Sequence, residues 1–152
     1  MSQVSTVPPF VNKTMKFMLR SPVHGLVSKM VLLFTFTGYK SGRTYTTPVS
    51  YSQFDDQVYI FTHADWWKNL IGGAPVTLRL QGQDVQGLAE PVTEDKQVIA
   101  SKLADHLRKV PSDAPYYGVT FDESGNPRAG DVEKGVQTVV MIRVRLIEGA
   151  VQ

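Results

Sequence analysis

The sequence of 152 residues contains no cysteine. Disulfides, thiolate nucleophiles and cysteine-ligated zinc or iron–sulfur clusters are therefore excluded. The longest strongly apolar run, residues 30–36, is far shorter than the ~20 residues that span a bilayer as a helix. Pro8 and Pro9 stand where the apolar core of a signal peptide would begin. We therefore expect a cytoplasmic protein, with a flexible lead-in over residues 1–9 and a single domain over residues 10–152.

Acidic residues are absent from the first third of the chain, where Asp55 is the first carboxylate. Six lysine and arginine residues precede Asp55, whereas acidic side chains outnumber basic ones in the rest of the chain. A segment of one charge sign attracts anions if the fold gathers it on one face; the alternative is six solvated charges spread over the surface. Six cations with few aromatic residues between them do not indicate nucleic acid. An anionic small molecule or a membrane surface fits this charge pattern better.

Residues 10–20 are predicted to form a basic amphipathic helix. Apolar residues recur there at helical intervals, and Ser21-Pro22 ends the pattern. Such a helix either packs over the mouth of the domain or makes peripheral contact with an anionic membrane.

The remaining pattern favours strands in short antiparallel hairpins. The hairpin turns are predicted at residues 55–57 and at Gln81-Gly82. Helices are expected over residues 65–71, capped by Asp65, and over residues 93–109, capped by Thr93. Consecutive hairpins favour a closed or half-closed barrel over a parallel sheet. The predicted strands cover residues 30–37, 44–54, 58–62, 76–80, 83–92 and 138–147.

A glycine-rich basic loop over residues 38–44 lies between the first two predicted strands. Lys40, Ser41, Arg43 and Thr44 add hydrogen-bond donors to its backbone N–H groups. Such a loop can wrap a phosphate, although it lacks the spacing of a Walker loop. A basic hairpin turn, with glycine supplying positive φ, explains the same residues.

Two tryptophans, Trp66 and Trp67, follow the third predicted strand. They are either anchors of the core or of a dimer interface, or the wall of a pocket for a flat conjugated ring. In the second interpretation, the start of the helix offers N–H groups to ring carbonyls.

The three histidines, His24, His63 and His106, show no metal-ligand spacing. We expect no metal site and structural or solvent-exposed histidines, although His63 lies where a cofactor would touch it. Tyr116 and Tyr117, in a proline-flanked loop, either line a pocket or pack on the barrel. The residues identify no catalytic group.

The order of these elements resembles the deazaflavin-dependent nitroreductase and quinone reductase family of oxidoreductases. Two motifs carry the resemblance: TGYKSGRTYTTPV at residues 37–49, and WWKNL at residues 66–70 followed by VTL at residues 76–78. The resemblance implies a mainly β fold with α, namely a split β-barrel of about six antiparallel strands plus two to three helices. It also implies a homodimer that completes the cofactor cleft.

The implied cofactor is coenzyme F-420, an 8-hydroxy-5-deazaflavin, which passes hydride to a quinone, nitroaromatic or other conjugated acceptor. The cofactor carries this chemistry, so no side chain has to act as a nucleophile. Other split barrels bind FMN, FAD or haem, so the alternative function is a carrier or sensor without turnover. Tyr116 and Tyr117 are the candidate substrate-pocket residues. The two motifs supply most of the candidate cofactor-binding residues, and Thr44 and His63 are included because of their positions in the sequence. The candidates are Lys40, Ser41, Gly42, Arg43, Thr44, Thr46, Thr47, Pro48, His63, Trp67, Asn69 and Leu70.

Overall fold

Seven antiparallel strands form one sheet in the computed structural model, which describes residues 31–147. The predicted lead-in and the predicted helix over residues 10–20 lie outside the described residues. The sheet order is β2-β1-β5-β6-β7-β4-β3. The strands are β1 (Val31–Thr37), β2 (Thr44–Ser50), β3 (Ser52–Phe54), β4 (Gln57–Thr62), β5 (Ala74–Leu80), β6 (Gln83–Val92) and β7 (Val140–Leu146).

Within the described residues, the helices all follow the first four strands. Two are α-helices, α1 (Lys96–Lys109) and α2 (Ala129–Gly135). Three are short 3-10 helices: Asp65–Leu70, Pro111–Tyr117 and Val136–Thr138. Within residues 31–147, no helix has the length and apolar character needed to cross a membrane.

The sheet curls because its two edge strands are neighbours in the chain. Strand β2 lies at one edge and β3 at the other, and Tyr51 alone separates them in sequence. The chain therefore joins the two edges, and the buried Tyr51 packs into the enclosed core. This mainly β architecture with α confirms the split β-barrel. The single strand predicted over residues 44–54 is two strands, because β2 pairs with β1 while β3 pairs with β4, which gives seven strands instead of six.

Two apolar layers flank the sheet. Alternate side chains point into the barrel, as with Leu32, Phe34 and Phe36 of β1. The second layer lies between the outer face of the sheet and α1, where Ile99, Leu103 and Leu107 are fully buried. Strand β4 contributes to both layers, which explains its continuous apolar run instead of an alternating pattern.

Several predicted boundaries are wrong by a few residues. The carboxylate of Asp95, and not Thr93, caps α1 by accepting a hydrogen bond from the Val98 N–H at 3.2 Å. Asp65 is likewise not a cap, because it lies inside the first turn of its 3-10 helix. The β3–β4 turn contains two residues instead of three, since Phe54 pairs directly with Gln57. The turn at Gln81-Gly82 is confirmed, with both residues at positive φ.

Candidate functional site

The basic loop between β1 and β2 closes on itself through its backbone. The Gly38 N–H donates to the Arg43 carbonyl at 2.8 Å, and the Gly42 N–H donates to the Gly38 carbonyl at 2.9 Å. Ser41 Oγ accepts from the Arg43 N–H at 3.1 Å, so this hydroxyl helps to hold the turn. Gly42 has a φ of 72°, a conformation that favours glycine. The loop is therefore an ordered turn with its cations on the outside.

The two cations of the loop are free to bind an anion. Lys40 and Arg43 are both exposed, and neither forms an ion pair with any of residues 31–147. Lys40 Nζ lies 5.6 Å from the centre of the Tyr39 ring. Thr44, also exposed, begins β2 beside them.

Asn69 joins the loop to the tryptophan-containing 3-10 helix. Its Oδ1 accepts a hydrogen bond from the Tyr39 N–H at 3.0 Å, and its Nδ2 donates to the Trp66 carbonyl at 2.9 Å. Asn69 is buried and Leu70 is completely so. These two candidate residues therefore hold the two motifs together and pack the barrel.

The two tryptophans have different environments. Trp66 is buried, with its ring centre 5.2 Å from that of Phe34 and 5.3 Å from that of Phe36. Trp67 is half-buried and packs at the edge of the same core. Trp66 is therefore mainly a core anchor, whereas Trp67 retains an accessible surface.

A pocket of about 340 Å³ lies between β2, β4 and the 3-10 helix Pro111–Tyr117. It brings together four candidate residues from distant parts of the sequence, namely Thr47 and Pro48 with Tyr116 and Tyr117. Its volume is in the range of small-molecule sites. Thr46 is buried instead, with its Oγ1 2.8 Å from Thr35 Oγ1. The residues that line the pocket are Thr47, Pro48, Val49, Ser50, Phe61, Thr62, Trp66, Ser112, Asp113, Tyr116 and Tyr117.

The basic loop is not among the walls of this pocket, but β2 connects the two. Thr44 begins the strand at the loop, and Thr47 to Ser50 line the pocket. At about 3.3 Å per residue, Thr44 and Thr47 are roughly 10 Å apart along the strand. A ligand with its ring in the pocket and an anionic tail at the loop would follow β2.

Three aromatic rings cluster at the rim of the pocket. The His63 ring centre lies 5.0 Å from Tyr116 and 5.7 Å from Tyr117, and the two tyrosine rings meet edge to face. His63 and Tyr116 are exposed, whereas Tyr117 is buried and its hydroxyl donates to the Phe61 carbonyl at 3.0 Å. Burial raises the pKa of the Tyr117 hydroxyl, and the nearby Asp113 and Tyr116 raise it further. Tyr117 therefore remains neutral and offers the pocket its ring.

A polar group that the sequence motifs did not reveal lies in the pocket wall. The Ser50 hydroxyl donates to Asp113 Oδ2, and His106 Nε2 is 2.9 Å from the same oxygen. His106 is completely buried, in agreement with its interpretation as a structural histidine. It shares a helical face with Ile99 and Leu103, a spacing that could have signalled its burial. Ser50 and Asp113 are 63 positions apart and share no motif. Among the described residues, no cluster of three or more histidine or acidic side chains is able to hold a metal ion.

A protein-family model described as F420H(2)-dependent quinone reductase matches residues 13–120. The match includes the basic loop, the WWKNL segment and both pocket tyrosines. The chain belongs to this family. The match confirms the resemblance carried by the two motifs. The family depends on the reduced form of the deazaflavin coenzyme F-420. No curated protein matches the chain.

Solved structures share the fold of this family member at low sequence identity. An FMN-binding protein of Nostoc punctiforme, related to pyridoxamine 5'-phosphate oxidase, is 13% identical over 93% of this chain and 82% of its own, with a TM-score of 0.51. The flavocytochrome Anf3 of Azotobacter vinelandii is 15% identical over 84% of this chain and 66% of its own, with a TM-score of 0.50. An F420 reductase is 14% identical over 78% of this chain and 87% of its own, with a TM-score of 0.44. The first two likenesses establish a common fold and nothing more.

Proposed function

We propose that this chain transfers hydride from the reduced deazaflavin coenzyme to a small conjugated acceptor, such as a quinone or a nitroaromatic compound. One observation carries the proposal: β2 runs from an exposed cationic loop to an aromatic-lined pocket. A flat ring with an anionic tail matches both ends of that strand. Family membership supports the same coenzyme.

The chain's own residues bind and orient in this proposal. Lys40 and Arg43 hold a phosphate of the coenzyme tail by charge-assisted hydrogen bonds, while Gly42 lets the ligand approach the backbone closely. Thr47, Pro48 and Tyr116 would contact the ring system, and His63 would lie next to it through its contact with Tyr116. The reduced coenzyme would supply the hydride when bound, and the aromatic and apolar side chains of the pocket would pack against its flat ring.

A carrier or sensor of FMN, FAD or haem is the second candidate function. His63 favours it, because its exposed imidazole at the pocket rim forms no hydrogen bond within residues 31–147 and histidine is a common ligand of haem iron. Such a protein would bind its ligand without turnover.

Separate titrations with coenzyme F-420, FMN, FAD and haemin distinguish the two functions. The hydride-transfer proposal expects binding of the deazaflavin and oxidation of its reduced form when a quinone is added. Binding of haemin alone would contradict that proposal. Tight deazaflavin binding with no oxidation by any quinone or nitroaromatic acceptor would favour the carrier.

A further inference from the structure

Asp113 is the only acidic side chain in the wall of the pocket formed by residues 47–50, 61–62, 66, 112–113 and 116–117, within the part of the chain that the structure describes. It lies in the 3-10 helix Pro111–Tyr117, and its side chain is 23% exposed. Much of the surrounding wall is apolar or aromatic, including Phe61, Trp66 and Tyr117. A carboxylate in such surroundings has a strong preference for ligands that bring a hydrogen-bond donor.

One oxygen of this carboxylate is already committed to the protein. Asp113 Oδ2 accepts from the Ser50 hydroxyl and lies 2.9 Å from His106 Nε2. A carboxylate only accepts hydrogen bonds, so the bond to His106 requires a proton on Nε2. Ser50 belongs to β2 and His106 to α1, so contacts from two separate elements fix the orientation of Asp113.

The other oxygen is left for a ligand. No group among residues 31–147 donates a hydrogen bond to Asp113 Oδ1, whereas Oδ2 receives two donors. Thr62, on β4, supplies complementary chemistry: its Oγ1 accepts from the Ala64 N–H at 3.0 Å, which leaves the hydroxyl proton for an acceptor. The pocket thus offers one anionic acceptor, Asp113 Oδ1, and neutral hydroxyl donors that include Thr62.

We propose that the acceptor molecule of this chain carries a hydrogen-bond donor of its own, a phenolic hydroxyl or an N–H group, which binds Asp113 Oδ1. The substrate class is then a flat conjugated carbonyl compound with a hydroxyl or amino substituent. An unsubstituted quinone presents only oxygens to the carboxylate and fits less well. The inference rests on the proposed function only in taking the ligand of this pocket to be the hydride acceptor.

Replacement of Asp113 by asparagine gives a sharp test. Ser50 and His106 both donate toward the Oδ2 position, so the amide oxygen of Asp113→Asn occupies it and the amide NH₂ faces the pocket. The variant then presents a donor where the wild type presents an acceptor. Asp105→Asn is the matched control, because it makes the same change of charge at an α1 residue paired with Arg108 at 3.1 Å and outside the pocket.

Binding is measured by NMR titration without any coenzyme, using naphthol and its methyl ether as probes. Wild type and Asp105→Asn are expected to bind naphthol about tenfold to a hundredfold more tightly than the ether, the range of a charge-assisted hydrogen bond. Asp113→Asn is expected to lose or reverse that preference.

If the wild-type protein binds naphthol and its methyl ether equally well, or binds neither of them, the proposal is overturned by the wild-type measurement alone. Retention of the full preference by Asp113→Asn would also overturn it. Because no coenzyme is present, a wild-type protein that prefers naphthol but binds no deazaflavin would support this inference while contradicting the proposed function.

Discussion

Lys40 is the side chain on which coenzyme affinity is expected to depend most directly. It is exposed and forms no ion pair with any described residue, so its removal costs the fold little. Lys40→Ala should weaken deazaflavin binding about tenfold to a hundredfold by removing one charge-assisted hydrogen bond to phosphate. Added salt should weaken wild-type binding more steeply than binding by the variant. Calorimetric titration measures both effects.

The control for this prediction is Lys134→Ala, which removes an exposed lysine from α2. It should leave coenzyme affinity unchanged. Equal dissociation constants for wild type and Lys40→Ala would refute the assignment of the loop as the phosphate site.

Asn69 is expected to affect both stability and binding. Asn69→Ala leaves the Tyr39 N–H and the Trp66 carbonyl without their partner, which should lower the free energy of unfolding by about 1–3 kcal/mol. Because Tyr39 belongs to the basic loop, coenzyme affinity should fall as well. Urea unfolding and calorimetric titration measure the two effects.

Asn126→Ala, at an exposed position, is the stability control and should change the free energy of unfolding by less than about 0.5 kcal/mol. An Asn69→Ala protein as stable as the wild type would show that this amide does not hold the loop.

The role of a single residue could be predicted where its side-chain chemistry and its local position in the sequence are enough to suggest that role. The two glycines and two cations of the loop could be identified from the sequence, since glycine permits the turn and charge is intrinsic to the side chain. Asn69 was singled out by resemblance, but its role as a link between two motifs depends on a contact across 30 positions. Asp113 could not be identified, because its significance arises only when Ser50 and His106 are brought to it.

At the scale of elements, the link between Thr120 and α2 predicts a pH-dependent stability. Asp131 Oδ2 accepts hydrogen bonds from Thr120 Oγ1 at 2.6 Å and from the Thr120 N–H at 2.9 Å. The side-chain hydrogen bond, followed by the backbone one, lowers the pKa of Asp131 below its ordinary value of 3.8 in the folded state. The resulting stabilisation is present above that value and is lost as the pH falls through the folded-state pKa.

Asp131→Asn is therefore expected to be slightly less stable than the wild type at neutral pH, with a difference that shrinks in acid. Urea midpoints followed by circular dichroism at several pH values measure this difference. Glu133→Gln, on the same helix, is the control for the loss of one negative charge from α2. A gap between wild type and Asp131→Asn that stays constant into strong acid would contradict the prediction.

The existence of most elements was predictable, whereas their exact ends were not. The hairpin of β5 and β6 follows from two apolar runs around Gln81-Gly82. The predicted cap of α1 was Thr93, whereas the structure has Asp95 at that position. Both residue types can cap a helix, and only the tertiary path of the chain selects one of them. The break at Tyr51 has no local signal, since each side of it has strand character and only the closure of the sheet separates them.

At the scale of the whole molecule, barrel closure creates the pocket. Strands β2 and β4 are far apart in sheet order, yet both contribute to the pocket wall together with the helix Pro111–Tyr117. No pattern within a single segment predicts that meeting. The sequence therefore predicted a small barrel with a candidate anion-binding loop, and the pocket itself required the three-dimensional structure.

We further propose that the protein is a cytoplasmic homodimer. Separately, we propose that residues 10–20 make peripheral contact with a membrane. In a dimer, the second chain would complete the proposed coenzyme cleft that runs along β2 from the basic loop to the pocket. Light scattering at micromolar concentration should give a mass near twice the 16.9 kDa of one chain. A mass of 16.9 kDa at that concentration would contradict the homodimer.

The most direct test of the central claim is oxidation of the reduced deazaflavin by a quinone in the absence of oxygen, with and without the purified protein. We expect rapid oxidation that requires the protein, yields the reduced quinone in equal amount and slows in Lys40→Ala when the coenzyme is limiting. Deazaflavin that binds but is oxidised no faster with the protein than without it, across quinone and nitroaromatic acceptors, would contradict the claim that this chain is a hydride-transferring reductase.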